Sequence, residues 1–336
     1  ELFKKNNIDV INFKFNFFSY LPKNGFLKSR ISYLIIILFS IFPLIKILKK
    51  EKPEFIIMHL ITSLPILLNN LFKFKTKFIL RISGFPKLNF LRKILWKISS
   101  KNLFCITCPT KDLITDLKKK KIFNENKMFY LQDAIINISS YIEKNKEDKK
   151  RFEINTKYYN NYFLSVGRLT KQKNYSYLIS EFANYLKDNK QETLLIIGEG
   201  EDEQKLKKMI KEKYLTKNVF LLGKIKNVYP YMKKARALIL SSLWEEVGFV
   251  IVEAAFSNLF VISSDCPNGP KEFLENGQAG YLFENNKENS LSEKLRYFTK
   301  EEKNLKNFKI KAKKNSSNYT LFRHHLSLKK ILSNEN

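Results

Sequence analysis

The sequence predicts an α/β protein built from two doubly wound domains in tandem. Three features carry that expectation. From Asp9 to Ile136 short β-type runs alternate with helical ones, from Ile138 to Asn161 the chain is polar, charged and without period, and from Tyr162 onward the alternation restarts in sharper form. A chain of 336 residues with 44% hydrophobic side chains is long enough for each half to bury its own core.

The opening "ELFKKNNIDVINFKFN" reads as a helix end, a turn at Asn6-Asn7 and a strand. A complete domain of this class starts with a strand before that helix, so an opening βα unit is expected ahead of Glu1. No signal peptide is visible. Ile31 to Ile45, "ISYLIIILFSIFPLI", is the most hydrophobic run. It falls short of the roughly 20 residues a bilayer span needs and contains Pro43, so a helix buried against a sheet is expected. The rival reading is a helix lying in a membrane interface, with the lysines of "KILKKEKPE" on lipid phosphates.

Strand runs "EFIIMHLIT", "KFILRIS", "LFCITC" and "KMFYLQD" then alternate with helical "SLPILLNNLFK", "FLRKILWKISS" and "KDLITDLKKKK". His59, at a strand end, could point to the cleft, but a packed histidine is the reading preferred. In the second half, strands "YFLSVGR", "TLLIIG", "NVFLLG", "ALILSS", "FVISSD" and "AGYLF" are separated by helices near 174–188, 201–213, 227–234, 247–257, 270–275 and 287–299. An amphipathic, basic helical stretch from about 301 to 332 closes the chain. The expected boundaries are 1–145 for the first domain, 146–161 for a linker, 162–300 for the second domain and 301–336 for a C-terminal segment packing back toward the first.

The formal charge is +29, which suits nucleic acid, an anionic membrane or anionic substrates. The lysines are spread along the whole chain beside abundant Asn, Ile and Phe, so the excess reads as compositional bias rather than one basic patch. Cys105, Cys108 and Cys266 form no even framework, and a reducing compartment follows. "FCITC" has the spacing of a redox or zinc pair, but its neighbours alternate as a strand and no second pair accompanies it, which points to buried thiols.

Ligands of doubly wound sheets bind outside the carboxyl ends of the strands, so the loops there hold the candidates. In "SVGRLTKQKN", Arg168 leaves a strand and Lys173 follows just before a helix. Two cations beside a helix N-terminus suit a diphosphate, although the loop alone also fits a solvated basic turn. In "IIGEGEDEQ", Gly198 and Gly200 permit a sharp turn and a close approach, without the third glycine of a dinucleotide fingerprint. In "SSLWEEVGFVIVEAAF", a helix expected from Val247 leaves the N–H groups of Gly248, Phe249 and Val250 available to an anion, with Glu245 before it and Glu253 within it. A carboxylate accepts from two vicinal hydroxyls at once, the pattern a ribose or hexose presents. An acid-rich helix start is the plainer alternative for Glu245 and Glu246.

Together these loops resemble the C-terminal domain of family 4 retaining glycosyltransferases, which have the GT-B fold of two Rossmann-like domains facing a central cleft. Glu245 and Glu253, with seven residues between them, match that family's most recognisable motif, supported by "VGRLTKQKN" upstream and "SSDCPNGPKEFLENGQAGYLF" downstream. The resemblance covers Tyr162 to about Phe283, and the first half only through its βα order. It implies that Arg168 and Lys173 grip the donor diphosphate together with the amides at Gly248, Phe249 and Val250. Glu253 would bind the donor ribose, Glu245 would face the transferred sugar as the catalytic acid residue, and Ile225 would meet the nucleobase. It also implies a nucleotide-sugar co-substrate, UDP-linked in most of the family, no cofactor and no metal, since no Asp-x-Asp motif occurs. The acceptor would be a glycan or lipid-linked, met by the first domain in surface-polysaccharide synthesis, in the cytoplasm or at the inner face of the cytoplasmic membrane with a peripheral contact to anionic lipid. Two departures stand out: the family's glycine-rich first loop would precede Glu1, and Ser83-Gly84 occupies the place of a common His-Gly.

Two other classes remain in view. A nucleic-acid binder would need a continuous basic face with interleaved aromatics, whereas these lysines fall on the polar sides of ordinary helices, so no nucleic acid is expected. A GT-B epimerase or phosphorylase shares the architecture, and the carboxylate spacing argues against it.

Overall fold

The computed structural model describes residues 9, 11, 13, 15, 17, 20, 21, 26–60, 62–86, 88–147 and 162–333. The expected opening helix end and turn, most of the opening strand, and the linker from 148 to 161 lie outside them. In chain order the first half contains α1 (Phe26–Lys50), β1 (Phe55–Met58), α2 (Ser63–Phe72), β2 (Lys77–Arg81), α3 (Phe90–Ser99), β3 (Cys105–Cys108), α4 (Lys111–Lys119), β4 (Met128–Tyr130) and α5 (Ile138–Glu147). The last of these falls in the polar stretch that was expected to lack period. Its apolar residues Ile138, Tyr141 and Ile142 recur at helical spacing, and Ser140 N donates to the Asn137 side chain to start it.

The second half contains β5 (Phe163–Val166), α6 (Tyr175–Leu186), β6 (Leu194–Ile197), α7 (Glu203–Glu212), β7 (Val219–Leu221), α8 (Tyr229–Lys234), β8 (Ala237–Leu240), α9 (Phe249–Phe256), β9 (Phe260–Ser264), α10 (Pro270–Phe273), β10 (Tyr281–Phe283), α11 (Ser290–Glu301), α12 (Lys306–Ser317) and α13 (Leu321–Ser333). By contacts the chain divides into two compact units. One comprises the described residues of Glu1–Ile82, Lys87–Thr107 and Lys120–Met128, and the other those of Ser83–Pro86, Cys108–Lys119 and Phe129–Asn336.

The four-stranded sheet runs β1-β2-β3-β4, with β1 parallel to β2 and β2 to β3. Its centre is closed by Phe78, Ile79, Leu80 and Ile106, all buried. Both strand cysteines are buried free thiols, and burial pushes Cys105 up to about 12. His59 is exposed just past β1 rather than packed, because the chain leaves the sheet at that residue.

The helix expected at 31–45 forms, but it is longer, continues through Pro43, and is not buried. Ser32 and Leu48 are its buried side chains among those described, while Ile31, Leu34, Leu38 and Phe42 form an exposed stripe, Phe42 at 80%. Apolar residues surround this helix on every side, and only one side meets protein, so composition alone could not tell a core helix from one with an outer apolar face. By length and composition Ile31–Lys50 could cross a membrane.

The six-stranded sheet is wholly parallel in the order β10-β9-β8-β5-β6-β7. Strand alternation gives it two cores: Phe163, Ile196, Ile239 and Ile262 face α6 and α11, while Leu164, Ile197, Leu238 and Val261 face α8 and α9. The strand order reverses between β5 and β8, which opens a crevice above their carboxyl ends. A buried Arg236 fixes the opposite end of β8, bonded to Glu192 at 2.5 Å and Glu302 at 2.6 Å beneath the rings of Phe163 and Phe298. After α12 the chain bonds to the stretch before α5: Ile135 N and Ile136 N donate to Tyr319 O at 2.8 and 2.9 Å, and Gln132 Nε2 donates to Asn318 O at 3.0 Å.

Candidate donor site

The loops after β5 and β8 meet at the reversal point. Past β5 the chain turns at Gly167, carries an exposed Arg168, and closes a 3-10 turn at Lys171–Lys173 before α6. Among the described residues Arg168 has no ion-pair partner. Gly167 makes room for its neighbour: a Cβ there would stand 3.1 Å from Lys173 Cε. The lysine therefore folds back over the strand end and places Nζ 2.5 Å from Glu245 Oε1, with the two side chains 16% and 8% exposed.

Glu245 is held from a second side by Ser242 Oγ, which donates to the same oxygen at 2.5 Å. Ser242 belongs to a buried group at the ends of β8 and β9: Ser264 Oγ donates to Ser242 O at 2.7 Å, and Ser241 Oγ donates to Lys173 O at 2.8 Å. Gln172 clamps the same loop, accepting Leu243 N on its main-chain oxygen at 2.8 Å and donating Nε2 to Trp244 O at 2.9 Å. Two short polar strand ends thus fix both members of a largely desolvated ion pair.

α9 begins one turn after Glu245, two residues later than the start expected at Val247. Its N-cap is Gly248, at φ 79° and ψ 68°, with no side-chain cap, so a left-handed residue without a Cβ leaves the amides of Phe249 and Val250 uncapped. Phe249 is half exposed and Val250 is buried. Glu253 follows in the second turn, with its Oε1 3.5 Å from the Tyr229 phenol. Burial raises its pKa above the ordinary carboxylate value, while the Lys144 ammonium and the Tyr229 phenol pull it back.

Gly198 and Gly200 do allow a close approach, but to protein backbone. A Cβ on Gly198 would lie 1.8 Å from Gly167 O, and one on Gly200 2.3 Å from Leu169 O. They press the β6 loop onto the β5 loop, where Gly167 N donates to Ile197 O and Leu169 N to Glu199 O, and so set the height of Arg168. Ile225 sits half-buried between β7 and α8, packed on the core of that face. Among the described residues no group of three or more His, Cys, Asp or Glu side chains could hold a metal.

The structure thus joins Lys173 directly to Glu245, puts the α9 amides next to Glu245 in the chain, and gives Glu253 separate partners. Sequence reasoning missed Ser242, Gly167, Tyr229 and Lys144. The serines carried a signal in the polar ends of two otherwise apolar strands, whereas Lys144 sat in a charged stretch read as having no period.

Two parallel sheets, the second with its crevice of cations, carboxylates and an uncapped helix end, define a protein of the GT-B class. HepE of Anabaena, solved with UDP and glucose, superposes with a TM-score of 0.73 at 15% identity, over 99% of this chain and 88% of that one. Residues 146–315 match the model of the glycosyl transferases group 1, and the chain belongs to that family. An uncharacterized glycosyltransferase of Methanocaldococcus jannaschii is 31% identical over 69% of this chain and 61% of its own length. The N-acetylgalactosamine-N,N'-diacetylbacillosaminyl-diphospho-undecaprenol 4-alpha-N-acetylgalactosaminyltransferase of Campylobacter jejuni is 30% identical over 74% of this chain and 67% of its own.

Proposed function

We propose that the protein is a family 4 retaining glycosyltransferase that moves a sugar from a UDP-linked donor to a glycan or lipid-linked acceptor in bacterial surface-polysaccharide synthesis. The observation that carries this reading is the Lys173–Glu245 pair beside the uncapped start of α9, where cation, acid and amides serve diphosphate and sugar together. As the glycosidic bond breaks, negative charge grows on the departing diphosphate. Arg168, Lys173 and the amides of Phe249 and Val250 then stabilise the transition state more than the ground state, worth about 3 kcal/mol per charged donor. These fixed cations take the place of a divalent metal, so transfer proceeds without one. Glu253 binds the ribose hydroxyls and Glu245 the transferred sugar.

The named activity of the Campylobacter relative supports an acceptor on a lipid diphosphate, and the UDP in HepE supports the base. The first unit supports a peripheral contact with anionic membrane. α1, α2 and α3 contain no Asp or Glu, and each has an exposed apolar stripe: Leu34, Leu38 and Phe42; Leu67 and Leu71; Leu91, Ile94 and Ile98. Rings and aliphatics on helices whose charged residues are all Lys or Arg suit the headgroup layer of an acidic leaflet.

A thermal-shift panel of UDP, GDP, ADP and CDP on the wild type, Arg168→Ala and Glu253→Ala tests the reading. One base should stabilise the wild type, and both variants should lose that shift. Equal shifts for all four, or shifts that survive both substitutions, refute it. Anomeric assignment of the product by NMR separates retention from inversion, and release of a free sugar phosphate or an epimerised nucleotide sugar would instead favour the phosphorylase or epimerase reading.

A further inference from the structure

Glu253 has neighbours from two helices outside its own. Tyr229, the first residue of α8, is buried and aims its phenol at the acid from 3.5 Å. Burial and the Glu253 charge push that phenol above its usual range, so it stays protonated and donates. Lys144, half-buried on α5, sets its ammonium 5.6 Å from the centre of the Tyr229 ring. Its carbonyl accepts from Asn227 Nδ2 at 2.9 Å, which pins the end of α5 to the loop before α8. One turn earlier, Tyr141 meets Tyr229 and Phe256 edge-on, at 4.8 Å in each case, so α5, α8 and α9 are locked around the acid by three rings.

The charges around Glu253 are few. Among the described residues Lys144 acts on it from α5 and the Tyr229 phenol from α8, with Tyr141 standing beyond Tyr229. α12, packed along α9, turns small buried side chains inward, Ala312 and Ser316. Desolvation works to protonate Glu253, and a protonated acid cannot accept from two hydroxyls on equal terms. We propose that Lys144 and Tyr229 are positioning residues of the donor site, which hold Glu253 as an aimed carboxylate able to accept both ribose hydroxyls. The proposal rests on the reading of Glu253 as the ribose ligand.

The test is calorimetric binding of UDP, or of whichever diphosphate stabilises the protein most in the panel above, from about pH 5.5 to about pH 8. The wild type is compared with Glu253→Gln, Lys144→Gln, Lys144→Arg and Tyr229→Phe, each checked for an unchanged ligand-free melting transition. Glu253→Gln should bind about tenfold more weakly at every pH. Lys144→Gln should match the wild type near pH 8 and weaken about fivefold near pH 5.5, because without its cation the carboxylate takes up a proton at higher pH and loses the charged form as pH falls. Tyr229→Phe should weaken in the same direction, and Lys144→Arg should restore the wild-type profile. Equal affinity of Glu253→Gln and wild type refutes the ribose assignment itself. A weak Glu253→Gln with Lys144→Gln unchanged, or weakened by a constant factor at all pH, leaves that assignment standing and overturns the positioning role.

Discussion

Replacing Lys173 by Met should cost stability in an amount that the geometry sets. The substitution keeps the stem that lies over Gly167 but removes the ammonium from a Glu245 carboxylate that is 8% exposed. Stripping one partner from a buried pair costs about 3–5 kcal/mol. Ser242 keeps its bond to the stranded oxygen, which offsets about 1–1.5 kcal/mol and leaves a loss of about 1.5–4 kcal/mol. With a urea slope of about 2 kcal/mol per molar, the midpoint should fall by about 1–2 M. The double variant Lys173→Met, Glu245→Gln removes both charges and should recover most of that loss, because a neutral amide accepts the Ser242 hydroxyl without a counter-charge. The same double variant should transfer no sugar. Urea denaturation of the four proteins in the cycle decides the matter: if Lys173→Met unfolds with the wild type, or if the double variant loses the sum of the two singles, the pair is not the desolvated unit described above.

Gly198→Ala would drive a methyl to within 1.8 Å of the Gly167 carbonyl, so the β5 and β6 loops must part; a loss of about 3 kcal/mol and a disproportionate fall in nucleotide affinity are expected, read by urea midpoint and calorimetry. An alanine variant of wild-type affinity would show that the loop contact does not set Arg168. All three thiols are buried, and burial pushes Cys105 and Cys266 up to about 12, so thiolate is scarce at pH 8; labelling by a disulfide reagent should be about a hundredfold slower in the native protein than in urea. Rapid native labelling of Cys105 or Cys108 would reopen the redox reading of that pair.

The order of strands and helices was legible from Phe55 onward because apolar runs bounded by turns encode it locally. β5 to β10 fall on the six runs read as strands, and α6 begins just after Lys173 as the loop reading required. Distances across the chain were not legible. Nothing in "VGRLTKQKN" says that Gly167 opens a berth for the lysine stem, or that Lys173 and Glu245, far apart in sequence, share one oxygen with Ser242. The apolar stripe of α1 failed for a related reason: periodicity reports how greasy a face is, and its neighbours decide whether that face is covered. Lys144 was hidden because a charged segment that helps hold a buried acid and one that merely spans a gap have the same composition.

Glu272 gives the second sheet's neighbourhood its own selectivity. Its carboxylate receives the first two amides of α4, Lys111 N at 2.8 Å and Asp112 N at 3.1 Å, whereas the corresponding end of α9 is capped only by a glycine. One electropositive berth is therefore already taken by an internal anion, tethered and never in competition. A phosphate arriving from solution meets the open end of α9, while the start of α4 is filled in advance.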